Sequence, residues 1–330
     1  MTSSATSKFA ALRTAAKVLI SGGLLVFLVR SVDADSMLVA LAQADPLLML
    51  GVVALLFALI PVLALRWNTI MAALQIRVEY WRAFRVVLIG MFFNQLLPSA
   101  IGGDAYRVWA LGKRGLPFSH VLNTVVLDRG VALIATLAVT AFGLSRIDEL
   151  IPPGTARVLS MTLLALVVGG VCAGMLLLFF AARMPDGGLF SRYALLRMIK
   201  KSAADVVLLV RNPKALMFVV LVSVVLNIST SASIWLIAVA LGKHPGLLDC
   251  IYVIPTVMVF AMIPISVAGW GVREGGMVVA LGLLGIEPAA ALATSLLFGA
   301  SLVAIGIPGG VAWFLSGERA RVPAESGGRQ

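Results

Sequence analysis

The sequence is poor in charged residues. Only 12% of its 330 residues are charged, whereas soluble globular proteins carry about 25%. Hydrophobic residues make up 61% of the chain, and the mean hydropathy is +1.04. This composition excludes an ordinary soluble domain. It predicts an all-α polytopic integral membrane protein, because apolar segments of roughly 20 residues cross a bilayer as helices.

Cysteine and histidine are also scarce. The two cysteines, Cys172 and Cys250, lie in apolar segments, so they predict neither a disulfide framework nor a zinc site. The two histidines, His120 and His244, lie at predicted helix boundaries and indicate no metal site or proton relay. A nucleotide-binding loop of the form Gly-x-x-x-x-Gly-Lys-Ser/Thr is absent from the sequence, which argues against ATP hydrolysis on this chain. We therefore expect no metal and no cofactor.

The net charge of +11 does not indicate nucleic-acid binding, because the basic residues lie in short segments between apolar runs. Twenty of the 26 Lys and Arg residues fall in the N-terminus, 66–120, 183–214 and the C-terminal tail, and only four fall in the opposite loops. By the positive-inside rule, both termini are predicted to be cytoplasmic. The N-terminus has the charge order of a signal peptide but no convincing cleavage site, so we expect a retained first helix.

Six full spans and two interrupted segments are predicted. The spans are about 17–29, 46–65, 121–144, 157–182, 214–241 and 288–315. Residues 86–97 would reach only about 18 Å across a hydrocarbon core of roughly 30 Å, and 250–286 is interrupted by Pro255 and Pro264. Whether these two segments re-enter or span is left open by the sequence. The segment 183–213 is either an amphipathic interfacial helix or a basic loop, and 317–330 is a polar cytoplasmic tail.

The two interrupted segments share a pattern. At an offset of 166 residues, Pro98 aligns with Pro264, Gly103 with Gly269 and Arg107 with Arg273. The aligned spans would cross in opposite directions. We therefore predict one transmembrane domain, 1–330, built from inverted-repeat halves at approximately 14–150 and 157–316, with the site between the broken helices. The predicted hinge and turn residues are Pro98, Gly102, Gly103, Pro264, Gly269 and Gly271.

Charged side chains in an apolar zone are costly and are often functional. The candidates for substrate binding or translocation are Asp104, Arg107, Asp128, Arg129, Arg273 and Glu274, with Asn94 beside them. One hypothesis is that Arg107 and Arg273 converge on one lipid phosphate, since guanidinium binds phosphate through a planar fork of donors. The alternative is structural: Arg107 pairs with Asp104, while Arg273 and Glu274 only pin a turn at the interface.

Two further polar features have both structural and functional interpretations. Asp128 and Arg129 are adjacent, so on a helix they point about 100° apart and each needs a partner elsewhere. They either line a polar interior or staple the bundle. Asn94 either contacts a headgroup or caps backbone carbonyls freed by the break, and Asn227 is predicted to form an interhelical hydrogen bond.

Three stretches share a resemblance: the segment from Pro98 to Arg107, the Asp128-Arg129 pair and above all the run from Pro264 to Gly275, which reads Pro-Ile-Ser-Val-Ala-Gly-Trp-Gly-Val-Arg-Glu-Gly. They resemble the transmembrane, flippase-like region of the lysylphosphatidylglycerol synthase family. The Arg66-Trp67 end of the second span, otherwise an interface anchor, is similar too. The resemblance implies translocation of lipids between leaflets. It implies substrates such as aminoacylated phosphatidylglycerol, hopanoids or polyprenyl-phosphate-linked sugars. The soluble aminoacyltransferase domain of the synthase is not found in this sequence, so we expect no enzyme.

We therefore expect a lipid transporter of the bacterial inner membrane that moves an anionic phospholipid-like or polyprenyl-phosphate-linked lipid. Two alternatives remain. One is a membrane transferase acting on a lipid-linked substrate, although the outer loops show no metal-ligand spacing. The other is a non-catalytic membrane partner of a separate lipid synthase or glycosyltransferase.

Overall fold

A computed structural model describes residues 34–96, 102–113, 115–143, 180, 194–261 and 270–316. The predicted span 17–29, nearly all of 157–182, the hinge residues Pro98, Pro264 and Gly269, and the tail 317–330 lie outside these residues. Within the described residues the regular structure is entirely helical, which confirms the predicted fold class.

The described helices are α1 (Ala34–Ala42), α2 (Pro46–Ala73), α3 (Tyr80–Leu96), α4 (Gly102–Gly112), α5 (Phe118–Phe142), α6 (Ala194–Val210), α7 (Pro213–Ala240), α8 (Leu247–Ala261), α9 (Val272–Leu283) and α10 (Pro288–Leu315).

Four of these helices, α2, α5, α7 and α10, are long and apolar enough to cross a membrane. The 28-residue helices reach about 42 Å at 1.5 Å per residue. They correspond to four of the six predicted spans, and the chain is a multi-pass membrane protein. Their starts have local causes: Asp45 accepts hydrogen bonds from the first backbone amides of α2, Asn212 does the same for α7, and a proline opens both helices.

Helix α2 differs from its prediction at its C-terminal end. It continues through Ala73 instead of ending near Leu65, so Arg66 and Trp67 lie inside the helix. Their exposed fractions are 5% and 0%. The predicted interface anchor at Arg66-Trp67 is therefore wrong. An arginine after an apolar run marks a membrane boundary only when neighbouring helices offer it no partner.

Both predicted breaks lie between two described helices. Helix α3 ends at Leu96 and α4 begins at Gly102, while α8 ends at Ala261 and α9 begins at Val272. Gly102 and Gly103 form the first turn of α4 rather than the loop before it. Gly271 precedes α9 with φ +88°, a conformation that favours glycine because it has no Cβ.

The packing of the helices is related between the two parts of the chain. The starts of α2, α3, α4 and α5 precede those of α7, α8, α9 and α10 by 167 to 170 residues. The counterparts are therefore α2 and α7, α3 and α8, α4 and α9, and α5 and α10, and α1 corresponds in the same way to α6. When each helix is replaced by its counterpart, the α3–α10 contact becomes α8–α5, the α4–α5 contact becomes α9–α10 and the α1–α10 contact becomes α6–α5, and all of these contacts are present. Helices α2 and α7, which are counterparts, pack along each other.

Helix α6 lies in the segment predicted as an amphipathic helix or a basic loop. Its inner side is fastened to α5, since Asn123 donates to Asp205 and accepts from Ser202, and Lys201 donates to Ser119. Its other side exposes apolar residues such as Val207. Residues 194–210 of the segment are therefore helical and are attached to the bundle by polar contacts, while 183–193 lie outside the described residues.

Candidate functional site

Asp128 on α5 is the centre of a buried ion network. Its Oδ1 accepts a hydrogen bond from Arg66 Nε on α2 at 2.9 Å, and its Oδ2 accepts one from Arg107 Nη1 on α4 at 3.1 Å. All three side chains are at most 6% exposed. One carboxylate therefore joins three helices, and each of its oxygens serves one arginine.

Arg129 uses a different partner, as expected for a residue next to Asp128. Its Nε and Nη2 donate to the two carboxylate oxygens of Asp104 at 2.8 and 3.1 Å. Arg107 lies 3.4 Å from the same carboxylate. Within the described residues, three guanidinium groups thus face two carboxylates, which leaves one positive charge in excess. Arg66 and Arg107 are buried, so an anion beside them would offset part of the cost of removing this charge from water.

Arg66 and Trp67 complete the network from α2. Arg66 Nη1 donates to Ser223 on α7 at 3.0 Å, and Trp67 Nε1 donates to Thr124 at 3.0 Å. The guanidinium carbon of Arg107 lies 4.2 Å from the centre of the Trp67 ring, a favourable cation–π distance. Arg66 was not among the predicted site residues. The signal for it was the need of Asp128 for a partner outside its own helix.

Arg107 is incompletely satisfied. Its Nε and Nη2 are buried and have no hydrogen-bond partner within the described residues. Arginine offers five donors, and most buried donors in proteins are paired. An acceptor that entered beside Arg107 would therefore gain hydrogen bonds without displacing an existing partner of these two atoms.

Asn94 connects the two helices of the first broken segment. Its Oδ1 accepts a hydrogen bond from the Gly103 backbone amide at 2.8 Å, so it satisfies one of the free donors at the start of α4. A Cβ at Gly103 would collide with the carbonyl oxygen of Gly90 and with Asn94. Asn94 therefore caps a backbone group at the break, but this group is an amide N–H and not the predicted carbonyl.

The second broken segment carries a separate pair. Arg273 Nε donates to Glu274 Oε1 at 2.9 Å, and Arg273 Nη2 bonds the same oxygen. Glu274 is fully buried; it also accepts from the Gly271 amide and from Ser295 on α10. Arg273 lies over the ring of Trp270 at 4.9 Å. The side chains of Arg273 and Glu274 are therefore buried rather than exposed at a membrane interface.

Two adjacent cavities lie against these groups. The first, of about 390 Å³, is lined by Arg66, Arg129 and Arg273, by apolar residues of α2 and by Asn227, Thr230 and Ser231 of α7. The second, of about 280 Å³, is lined by the Asp104–Asp128 network together with Asn94 and Gln95. Their shared lining residues are Leu63, Arg66, Met91, Arg129 and Leu302. Arg129, whose side chain is 45% exposed, faces both.

The predicted pair Arg107 and Arg273 is divided between the cavities. Arg107 lines only the second and Arg273 only the first. Arg107 pairs with Asp104 and Asp128, which line the second cavity, whereas Arg273 pairs with Glu274 and lies over Trp270. The arginines that meet around one cavity are Arg66, Arg129 and Arg273.

Asn227 forms the expected interhelical hydrogen bond. Its Oδ1 accepts from Thr136 on α5 at 3.0 Å, and its Nδ2 donates to the Ser223 carbonyl of its own helix. The bond fixes an amide on the wall of the first cavity.

Comparison with known proteins gives relatives of the same size class. A "UPF0104 membrane protein" of Methanothermobacter thermautotrophicus is 26% identical over 279 residues, which are 78% of this chain and 81% of the relative. Proteins of the same description are similar over shorter stretches. The one from Methanocaldococcus jannaschii is 36% identical over 87 residues, 24% of this chain and 26% of the relative. The one from Pyrococcus horikoshii is 38% identical over 69 residues, 20% and 21% respectively.

A family model agrees with the resemblance of the broken segments. The model described as "Lysylphosphatidylglycerol synthase TM region" matches residues 14–309. This range includes Arg66, Arg107, Arg129 and Arg273, and it covers all ten described helices except the end of α10. The chain therefore belongs to the family of the lysylphosphatidylglycerol synthase transmembrane region.

Proposed function

We propose that this protein translocates a lipid with an anionic headgroup between the two leaflets of a membrane. The observation that carries the proposal is the first cavity. Arginines from three helices line it, and its described lining contains no carboxylate. Arginine keeps its charge when it is buried and forms strong, directional hydrogen bonds to phosphate.

Each of the three arginines that line the first cavity is held in place by hydrogen bonds to other side chains. Asp128 and Ser223 fix Arg66, Glu274 fixes Arg273, and Asp104 fixes Arg129. Each guanidinium has donors beyond those used in its pair. A phosphate in the cavity would therefore meet oriented donors, and little side-chain entropy would be lost on binding.

The remaining walls fit a lipid rather than a soluble anion. Leu56, Leu59, Ile60 and Leu63 form one apolar wall, and Met258 and Phe298 contribute to the other side. A ligand that fills both parts of such a cavity is amphiphilic, with a charged headgroup and an apolar chain. An anionic phospholipid and a polyprenyl-phosphate-linked lipid both have this form.

The repeated packing supports a route across the bilayer. If the two halves are inverted repeats, rearrangement of one half against the other would open the cavity to either leaflet. In this proposal Pro98, Gly102, Gly103, Pro264, Gly269 and Gly271 act as the turns at which the broken helices move. In this proposal both termini lie in the cytoplasm, as the distribution of basic residues favours, and the location is a plasma (inner) membrane.

The experiment is a translocation assay in proteoliposomes that contain phosphatidylglycerol with a fluorescent acyl chain. A membrane-impermeant reductant bleaches the label in the outer leaflet, and the second kinetic phase reports lipid crossing. We expect Arg129→Met to slow this phase at least tenfold. Arg211→Met is the matched control, because Arg211 is exposed on the connection between α6 and α7 and its loss should leave the rate unchanged.

The proposal is wrong if vesicles with the wild-type protein show no faster phase than protein-free vesicles for phosphatidylglycerol and for a polyprenyl phosphate. A membrane partner of a separate synthase would then account better for the basic cytoplasmic segments. Co-purification of a synthase or glycosyltransferase in fixed ratio would support that second function.

A further inference from the structure

The first cavity also carries information about which headgroup it accepts. We infer that it selects a phosphodiester whose headgroup bears hydroxyl groups and no ammonium group, an inference that rests on the proposed lipid transport. Phosphatidylglycerol has this chemistry, whereas lysyl-phosphatidylglycerol and phosphatidylethanolamine carry amines.

The distribution of charge around the cavity is the first argument. Arg66, Arg129 and Arg273 line it, and the carboxylates that pair with them are not among its described lining residues. Asp104 and Asp128 line the second cavity instead. An ammonium group in the first cavity would meet three cations and none of these carboxylates at its surface, so it would be repelled.

The excess charge is the second argument. Within the described residues, the network of Arg66, Arg107, Arg129, Asp104 and Asp128 has one more positive than negative group, while the Arg273–Glu274 pair is neutral. One phosphodiester, with a single negative charge, neutralises this excess. A lysyl-phosphatidylglycerol headgroup has a net positive charge and would increase it.

The neutral polar side chains that α7 contributes to the cavity lining are the third argument. Asn227, Thr230 and Ser231 on α7 are all neutral, and they lie on the same cavity wall. The Thr230 hydroxyl donates to the Leu226 carbonyl at 2.8 Å, so its lone pairs are available to accept from the ligand. This row can bind hydroxyl groups, but it offers no charge to balance an amine.

The first experiment measures lipid retention by native mass spectrometry. Wild-type protein is incubated with an equimolar mixture of phosphatidylglycerol, lysyl-phosphatidylglycerol and phosphatidylethanolamine with identical acyl chains. We expect phosphatidylglycerol to be retained at least tenfold over each amine lipid. Equal retention, or preference for an amine lipid, would overturn the inference. The deacylated headgroup glycerophosphoglycerol is a further arm: displacement of the lipid at equal concentration would assign the site to a soluble phosphodiester and overturn the lipid assignment.

The second experiment changes the charge of the cavity wall. Thr230→Asp adds a carboxylate to the cavity lining, and Thr230→Asn is the neutral control of similar shape. We expect the preference for phosphatidylglycerol over lysyl-phosphatidylglycerol to fall at least fivefold in Thr230→Asp and to stay within twofold in Thr230→Asn. An equal change in both variants would contradict a selection by charge.

The translocation assay separates this inference from the proposed function. Wild-type protein that moves lysyl-phosphatidylglycerol as fast as phosphatidylglycerol would be a transporter without the inferred selectivity. Wild-type protein that moves neither lipid, nor a polyprenyl phosphate, would contradict the transport itself.

Discussion

Each of the two broken segments holds an arginine inside an apolar region, but the two arginines are paired with carboxylates in different ways. The arginine of the first segment, Arg107, depends on Asp128 from another helix, and that carboxylate also holds Arg66. The arginine of the second, Arg273, pairs with the next residue in the sequence. The first arrangement joins three helices and has an excess positive charge. The second joins two adjacent residues in the first turn of α9, reaches α10 only through the hydrogen bond from Ser295 to Glu274, and is neutral.

This difference assigns distinct roles to the two halves. The first network ties α2, α4 and α5 together, so its loss should disturb the whole bundle. The second pair positions one guanidinium at a cavity and caps one helix. The residues 166 positions after Asp128 and Arg129 are Thr294 and Ser295, which carry no charge. Within the described residues, α10 therefore has no counterpart of the charged pair on α5.

The largest expected effect is on Asp128. Asp128→Asn leaves Arg66 and Arg107 buried without their common carboxylate, and breaking a buried ion pair costs about 3–5 kcal/mol. We expect a loss of this size in the free energy of unfolding, measured in mixed detergent micelles. Adding Arg66→Met to the Asp128→Asn protein removes one of the unpaired charges and should restore part of the loss. If the single variant is as stable as wild type, the network is not a structural centre.

Glu274→Gln should have a smaller effect. Its amide oxygen keeps a hydrogen-bond acceptor near Gly271, and Arg273 keeps its contact with the Trp270 ring, so we expect a loss of about 1–3 kcal/mol. The same unfolding measurement compares the two halves directly. A loss as large as that of Asp128→Asn would remove the distinction between a bundle-wide network and a local pair.

The close approach of α3 and α4 provides a third comparison. Gly103→Ala places a Cβ against the Gly90 carbonyl, and overpacking of this kind costs about 1–3 kcal/mol. Gly112→Ala, in the last turn of the same helix, meets no atom within 4 Å and serves as the control. We expect slower lipid translocation and a lower thermal unfolding midpoint for the first variant only.

The smallest effect is expected for Trp67→Phe. The substitution keeps an aromatic ring beneath Arg107 and removes the hydrogen bond to Thr124, a loss of about 1 kcal/mol. Trp81→Phe is the matched control, because Trp81 is 67% exposed. Equal unfolding midpoints for the two variants would show that the buried hydrogen bond contributes nothing measurable.

Much of the fold follows from local sequence. The last predicted span, 288–315, agrees with α10 at both ends, because Pro288 favours a helix start and the apolar run that follows it has a sharp limit. The breaks near Gly102 and Gly271 were predictable for a similar reason, since glycine and proline interrupt helices through their own backbone. The C-terminal end of α2 was not predictable in this way, since Arg66 is tolerated there only because Asp128 lies opposite.

The sequence by itself determined a multi-pass helical membrane protein with two interrupted segments, because hydrophobicity, proline and glycine act on the chain within a few residues. It also determined that Asp128 and Arg129 need separate partners, because adjacent residues on a helix point in different directions. Only the tertiary structure decided which partners these are and which arginines share a cavity. The distance between side chains from α2, α5 and α9 depends on how the helices pack, and this packing places Arg107 and Arg273 at different cavities.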